Sequence, residues 1–187
     1  MLGQRQDAEQ LRRLAESTAA EAKEYLDTVT ALAAGDADDD ALSVLMVALS
    51  RIIAAGAKLG AVADVRVREV YEPDSGPDAD VEDLHMGLAG LLEGLDEYVE
   101  IVDPVVSGEL SQESLSNDLA EIAAALGHGM THFDHGRYDE ALWFWQYSFM
   151  ASWGDRAVSG LRTLVSMLGH IRLDVEVNLG APEVALR

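Results

Sequence analysis

Three of the five histidines, His128, His132 and His135, are spaced by four and three, which stacks their imidazoles on one face of a helix. Glu121 stands two turns earlier on the same side. Three neutral imidazoles that leave one coordination position open form the ligand set of a catalytic zinc site. His128, His132, His135 and Glu121 are therefore the candidate ligands for a divalent metal, the one cofactor this chain suggests. Against that reading, the imidazole face lies opposite Leu126, Met130 and Phe133 and is expected to point into solvent. Ligands from one straight helix also rarely enclose a metal without help from a second element. Surface histidines, with no cofactor, are the reading preferred here.

Other chemistries find less support. A di-iron carboxylate bundle needs Glu-x-x-His on two helices, and Glu82 to His85 is the one such spacing. Asp36, Asp38 and Asp40 match the first ligand positions of a calcium loop, but Ala41 stands where glycine must turn and Val47 where the bidentate glutamate belongs. Those acids read better as a helix cap. There is no Gly-rich phosphate loop, GxSxG elbow or HExxH, and the absence of cysteine removes disulfides, thiolate nucleophiles and sulfur-ligated zinc together. The balance leans towards a protein without catalytic activity, the alternative being a metal-dependent enzyme centred on His128, His132 and His135.

Eight of the eleven aromatic residues fall between Phe133 and Trp153. On a helix, Leu142, Trp145 and Phe149 form one stripe while Trp143, Tyr147 and Met150 form another, so the segment is apolar on nearly every side and should be enclosed by neighbours. Core packing is the preferred reading. The competing one is a small-molecule pocket beside Trp143, Trp145 and Trp153. Gln146 and Ser148 lie among these rings and should be bonded to backbone rather than to a ligand.

The elements that would carry these residues are helical. Apolar stripes stepping by three and four predict helices over 7–34, 40–62, 80–102, 116–135, 138–153 and 155–170, with Ser116 capping the fourth and Gly136 breaking the run before the fifth. Together they form a single all-α domain over 1–187, a compact bundle of about six helices around the aromatic one. Val65 to Val70 and the alternating residues Ile171 to Leu179 suggest a small β ribbon pairing 65–70 with 171–179. The tail 171–187 reads as either that strand or a disordered end.

Net charge is −21, spread along the chain rather than gathered in one tail. Such a surface repels phosphate backbones, so direct nucleic-acid binding is disfavoured, while a protein partner or a homodimer remains compatible with it. No apolar run of the signal-peptide or membrane-spanning kind is expected to act as one, and the chain reads as cytoplasmic.

Four blocks carry a family resemblance: Tyr98-x-Glu100-x-x-Asp103-Pro104, SLSNDLAEI from Ser114 to Ile122, Ala141-Leu142-Trp143-x-Trp145-x-x-Ser148-Phe149-x-x-x-Trp153-Gly154, and Leu161-Arg162-x-Leu164. Together they resemble the bacterial domain of unknown function numbered five thousand and sixty-three, in an actinobacterial type of composition. The resemblance implies an all-helical fold and brings no activity with it. The three histidines lie outside its pattern. Where members often carry charged residues in the fourth helix, this chain has Ala123, Ala124, Ala125 and Gly127. The function expected is that of an interaction or regulatory protein.

Overall fold

A computed structural model describes residues 2–36, 40–61, 65, 81–103 and 105–173, with side chains described from residue 9 onward. The element order is α1 (Leu2–Ala33), α2 (Ala41–Ala61), α3 (Glu82–Leu91), β1 (Glu97–Asp103), β2 (Ser107–Ser114), α4 (Leu115–Asp134), α5 (Tyr138–Ser148), a π turn (Phe149–Trp153) and α6 (Gly154–Leu173). The fold is a helical bundle carrying a small antiparallel ribbon.

In α1 the buried stripe is Ala15, Ala19, Ala22, Tyr25, Val29 and Leu32. Three alanines in succession let α2 approach closely, and α2 answers with Leu45, Leu49, Ile52 and Leu59. Tyr25 crosses the core to α4, where its hydroxyl donates to the Leu119 carbonyl at 3.0 Å. By length and hydropathy α2 could cross a membrane, yet its buried stripe packs on α1 and α6 as a core helix does.

The aromatic segment divides. It is α-helical from Tyr138 to Ser148, then runs through one π turn directly into α6. Trp145 and Trp153 are fully buried, whereas Tyr147 and Met150 are exposed, so α5 is enclosed on one side and open on the other. The expectation of burial nearly all round is corrected to that extent. Trp153 Nε1 donates to Ser148 Oγ at 3.1 Å across the π turn, and Ser148 Oγ donates to the Phe144 carbonyl at 2.7 Å. Gln146 donates to the Leu59 carbonyl and accepts from the Val65 amide, both at 2.9 Å. Both polar residues thus have backbone partners, as expected for buried groups of this kind.

The helix expected over 80–102 is the main correction. It stops at Leu91, and Gly94, with φ +80°, takes a backbone that residues with a side chain rarely adopt. Beyond it, Tyr98, Val99, Ile101 and Val102 favour extended structure, and Glu97–Asp103 pairs with Ser107–Ser114. A ribbon therefore forms between Glu97–Asp103 and Ser107–Ser114, segments not expected to pair. Ile171 to Leu173 close α6, while 66–70 and 174–179 lie outside the described residues. The fourth helix is capped by Ser114, whose side chain accepts from the Asn117 amide, rather than by Ser116.

Candidate functional site

The histidine face of α4 does not point into solvent throughout. α5 packs against it, folded back by the turn at Gly136, where φ is +74°. His132 is buried, with Nδ1 3.4 Å from Glu140, and His128 stacks on Phe144 with ring centroids 4.1 Å apart. Burial lowers the His132 pKa, as does the neighbouring His128; Glu140 acts in the opposite direction. His135 is exposed, its Nδ1 2.6 Å from the Thr131 carbonyl, and Glu121 is exposed. Among the described residues no three His, Asp or Glu side chains converge closely enough to hold a metal ion.

The tryptophans are likewise dispersed in role. Trp145 and Trp153 are core, and Trp143 stacks on Tyr147 at a centroid distance of 5.6 Å, partly exposed.

The densest polar arrangement is one that helical periodicity did not single out, and it lies where the ribbon meets α4. Asp118, in the first turn of α4, is buried and accepts from the Tyr98 hydroxyl at 2.5 Å and from Arg156 Nη1 at 2.6 Å. Burial raises the Asp118 carboxyl above its usual range, against the lowering effect of those two bonds. The Tyr98 phenol is pushed well up, first by burial and then by its bond to the carboxylate. Beside it, Asp96 accepts from the Ser116 amide at 2.7 Å and from the hydroxyls of Ser114 and Ser116. One oxygen of Glu100 is buried with no hydrogen-bond partner among the described residues. At the far end, Asp103 Oδ1 accepts from the amides of Val105 and Val106 at 2.8 and 2.9 Å and shapes the hairpin tip.

These bonds fix the orientation of the ribbon, and the orientation is unusual. In register, Tyr98 opposes Glu113 and Glu100 opposes Ser111, all on the face turned to the bundle. Val99, Ile101 and Leu110 are on the other face, in solvent, with Val105 and Val106 at the tip exposed by 90% and 83%. A half-buried ribbon ordinarily does the reverse, turning its apolar residues inward. The ribbon segment also carries five acidic residues, Glu97, Glu100, Asp103, Glu109 and Glu113, and no lysine or arginine.

The fold is similar to the crystal structure of protein BF1032 from Bacteroides fragilis, with a TM-score of 0.66 and 19% identity over 81% of this chain and 89% of that one. No curated protein matches the chain. A family profile described as a domain of unknown function (DUF5063) matches residues 9–170, a span that includes the ribbon, the Asp118 cluster and the aromatic helix. The chain belongs to that family.

Proposed function

We propose that this protein is a non-catalytic interaction module, and that the outward face of the β1–β2 ribbon receives a partner protein. The observation that carries the reading is the inverted polarity of the ribbon. Tyr98 and Asp118 secure a polar face against the bundle, so Val99, Ile101, Leu110, Val105 and Val106 are held in water. A contiguous exposed apolar surface rimmed by charge is the signature of a contact site. The partner inferred from the charge is a segment with apolar residues flanked by lysine or arginine, because the ribbon's own charged side chains are all acidic, with Arg162, which donates to the Val99 carbonyl at 3.4 Å, at one edge. A second copy of this chain would bring the exposed Glu97 and Glu109 against their own counterparts and is disfavoured on the same ground.

The test is a photo-crosslinking residue placed at Val106, with Glu16 on α1 as the control position, in cells that produce the protein. The expected result is an adduct from Val106 and not from Glu16, lost on Leu110→Asp and weakened by salt, whose cross-linked peptide carries apolar residues between basic ones. Adducts with the protein itself alone, or adducts indifferent to Leu110→Asp, overturn the reading.

A further inference from the structure

A cleft of about 470 Å³ opens between α1, α2 and the carboxyl end of α6, far from the ribbon in sequence and built from other residues. It falls within the roughly 300–1,000 Å³ typical of small-molecule sites. Its floor is apolar, made by the Tyr25 ring, Val44, Val47 and Ala48. Val44 and Val47 are 41% and 55% exposed, which is unusual for valines on a helix whose opposite face fills the core.

The charged groups around this floor are not equivalent. Arg51 Nε donates to Glu21 at 2.9 Å and its Nη1 to Glu24, so that cation and both carboxylates are committed to one another. Arg172, in the last turn of α6, is different. Its Nη2 donates to Ser43 Oγ at 2.9 Å, and among the described residues no carboxylate lies within ion-pair distance of it. Ser43 Oγ accepts that bond, and among the described residues its own proton meets no acceptor. The free guanidinium N–H groups and the Ser43 hydroxyl proton thus stand side by side as donors beside the apolar lining. What matches them is an oxygen-bearing anion with a hydrocarbon body. Asp40 also lines the cleft and works against a second negative charge.

We propose that this cleft binds a small monoanionic amphiphile, its anionic head on Arg172 and Ser43 and its apolar body along Val44, Val47 and Ala48. The inference is independent of the ribbon reading, since the two sites share no residue. Either can fail alone.

The probe is decanoate, titrated below its micellar concentration into the full-length protein labelled for two-dimensional amide NMR. Decylammonium and the dianion sebacate serve as comparators of similar chain length. Saturable shifts at Ser43, Val44, Val47 and Arg172 are expected with decanoate. Arg172→Gln, an exposed change that leaves the core untouched, should weaken binding by about tenfold or more, as loss of a charge-assisted hydrogen bond implies. Arg172→Lys should recover part of it. Val47→Trp should block the cleft, and Val105→Asp on the ribbon should change nothing. Decylammonium or sebacate binding as tightly as decanoate, shifts centred elsewhere, undiminished affinity in Arg172→Gln, or no saturable binding at millimolar decanoate would each overturn the proposal.

Discussion

Gly129 lies directly beneath the indole of Trp145: a Cβ added at 129 would stand 1.9 Å from Nε1 and 2.4 Å from Cδ1. The same Nε1 donates to the Leu126 carbonyl at 3.2 Å, one turn earlier on α4. The missing side chain is therefore what lets α5 seat its largest residue on α4. Gly129→Ala must push the ring outward and stretch that bond, at a cost of about 1–3 kcal/mol for overpacking a filled core. Gly127→Ala, two residues away with nothing within 4 Å, should instead gain up to about 1 kcal/mol from helix propensity. Urea midpoints followed by tryptophan fluorescence compare the two. Equal stability of the two variants would mean that the indole is not seated where the packing puts it.

Asp118 gives the anchor of the ribbon a pH signature. Its carboxyl is raised above the unfolded value of about 3.9, chiefly by burial, so the folded state holds this proton more tightly than the unfolded chain does. Linkage then sets the sign: the contribution is fully present below the unfolded pKa and is lost as pH rises through the folded one. Parent protein and Asp118→Asn, unfolded in urea across the acidic range, should show a stability difference that shifts against the parent as pH rises, then levels. A difference that shifts in the parent's favour would show that the bonds from Tyr98 and Arg156 outweigh burial.

How far these relationships could be read from the residues depends on whether they are periodic. Ala15 to Leu32, Leu45 to Leu59 and Leu119 to Leu126 step by three and four because one side of each helix meets the core, and that spacing is local. The ribbon is not visible in the same way. Leu84, Leu88, Leu91, Leu95, Tyr98 and Val102 continue a helical spacing straight through Gly94, and the strand's alternation places valine and isoleucine in solvent, against the usual rule. Tyr98, Asp118 and Arg156 meet across twenty and thirty-eight residues of chain, a distance that no spacing pattern spans. The histidines show a third case: periodicity placed His128 and His132 on a common face, but which neighbour would cover that face followed from the turn at Gly136.

Asp103 tests whether the tip is shaped locally. Its Oδ1 accepts from the amides of Val105 and Val106, and Asp103→Ala removes both bonds while leaving the anchor at Asp118 intact. Each bond is worth about 0.5–1.5 kcal/mol, realised in the order of the tip rather than in global unfolding. Hydrogen exchange at Val105 and Val106 should accelerate, and the urea midpoint should move little. Asp103→Asn, which keeps an acceptor oxygen at the same place, should stay close to the parent. Unchanged exchange in Asp103→Ala would assign the turn to the strands alone.

His132 predicts the opposite pH trend on the other side of α4. The imidazole is buried against Phe144 and Glu140, and its pKa is lowered, first by burial and then by His128, with Arg137 adding in the same sense and Glu140 opposing. A base whose folded pKa is depressed stabilises the fold above its unfolded value of about 6.5 and loses that contribution as pH falls through the folded value. Stability should therefore decline between neutral and mildly acidic pH, and His132→Gln should flatten that decline even if it lowers stability throughout. The slope of unfolding free energy against pH reports the difference in bound protons directly, so the comparison does not depend on how well glutamine packs. An identical slope in His132→Gln would mean that folding leaves the imidazole's proton affinity unchanged, and a parent that gains on His132→Gln as pH falls would mean that Glu140 rather than burial sets its charge.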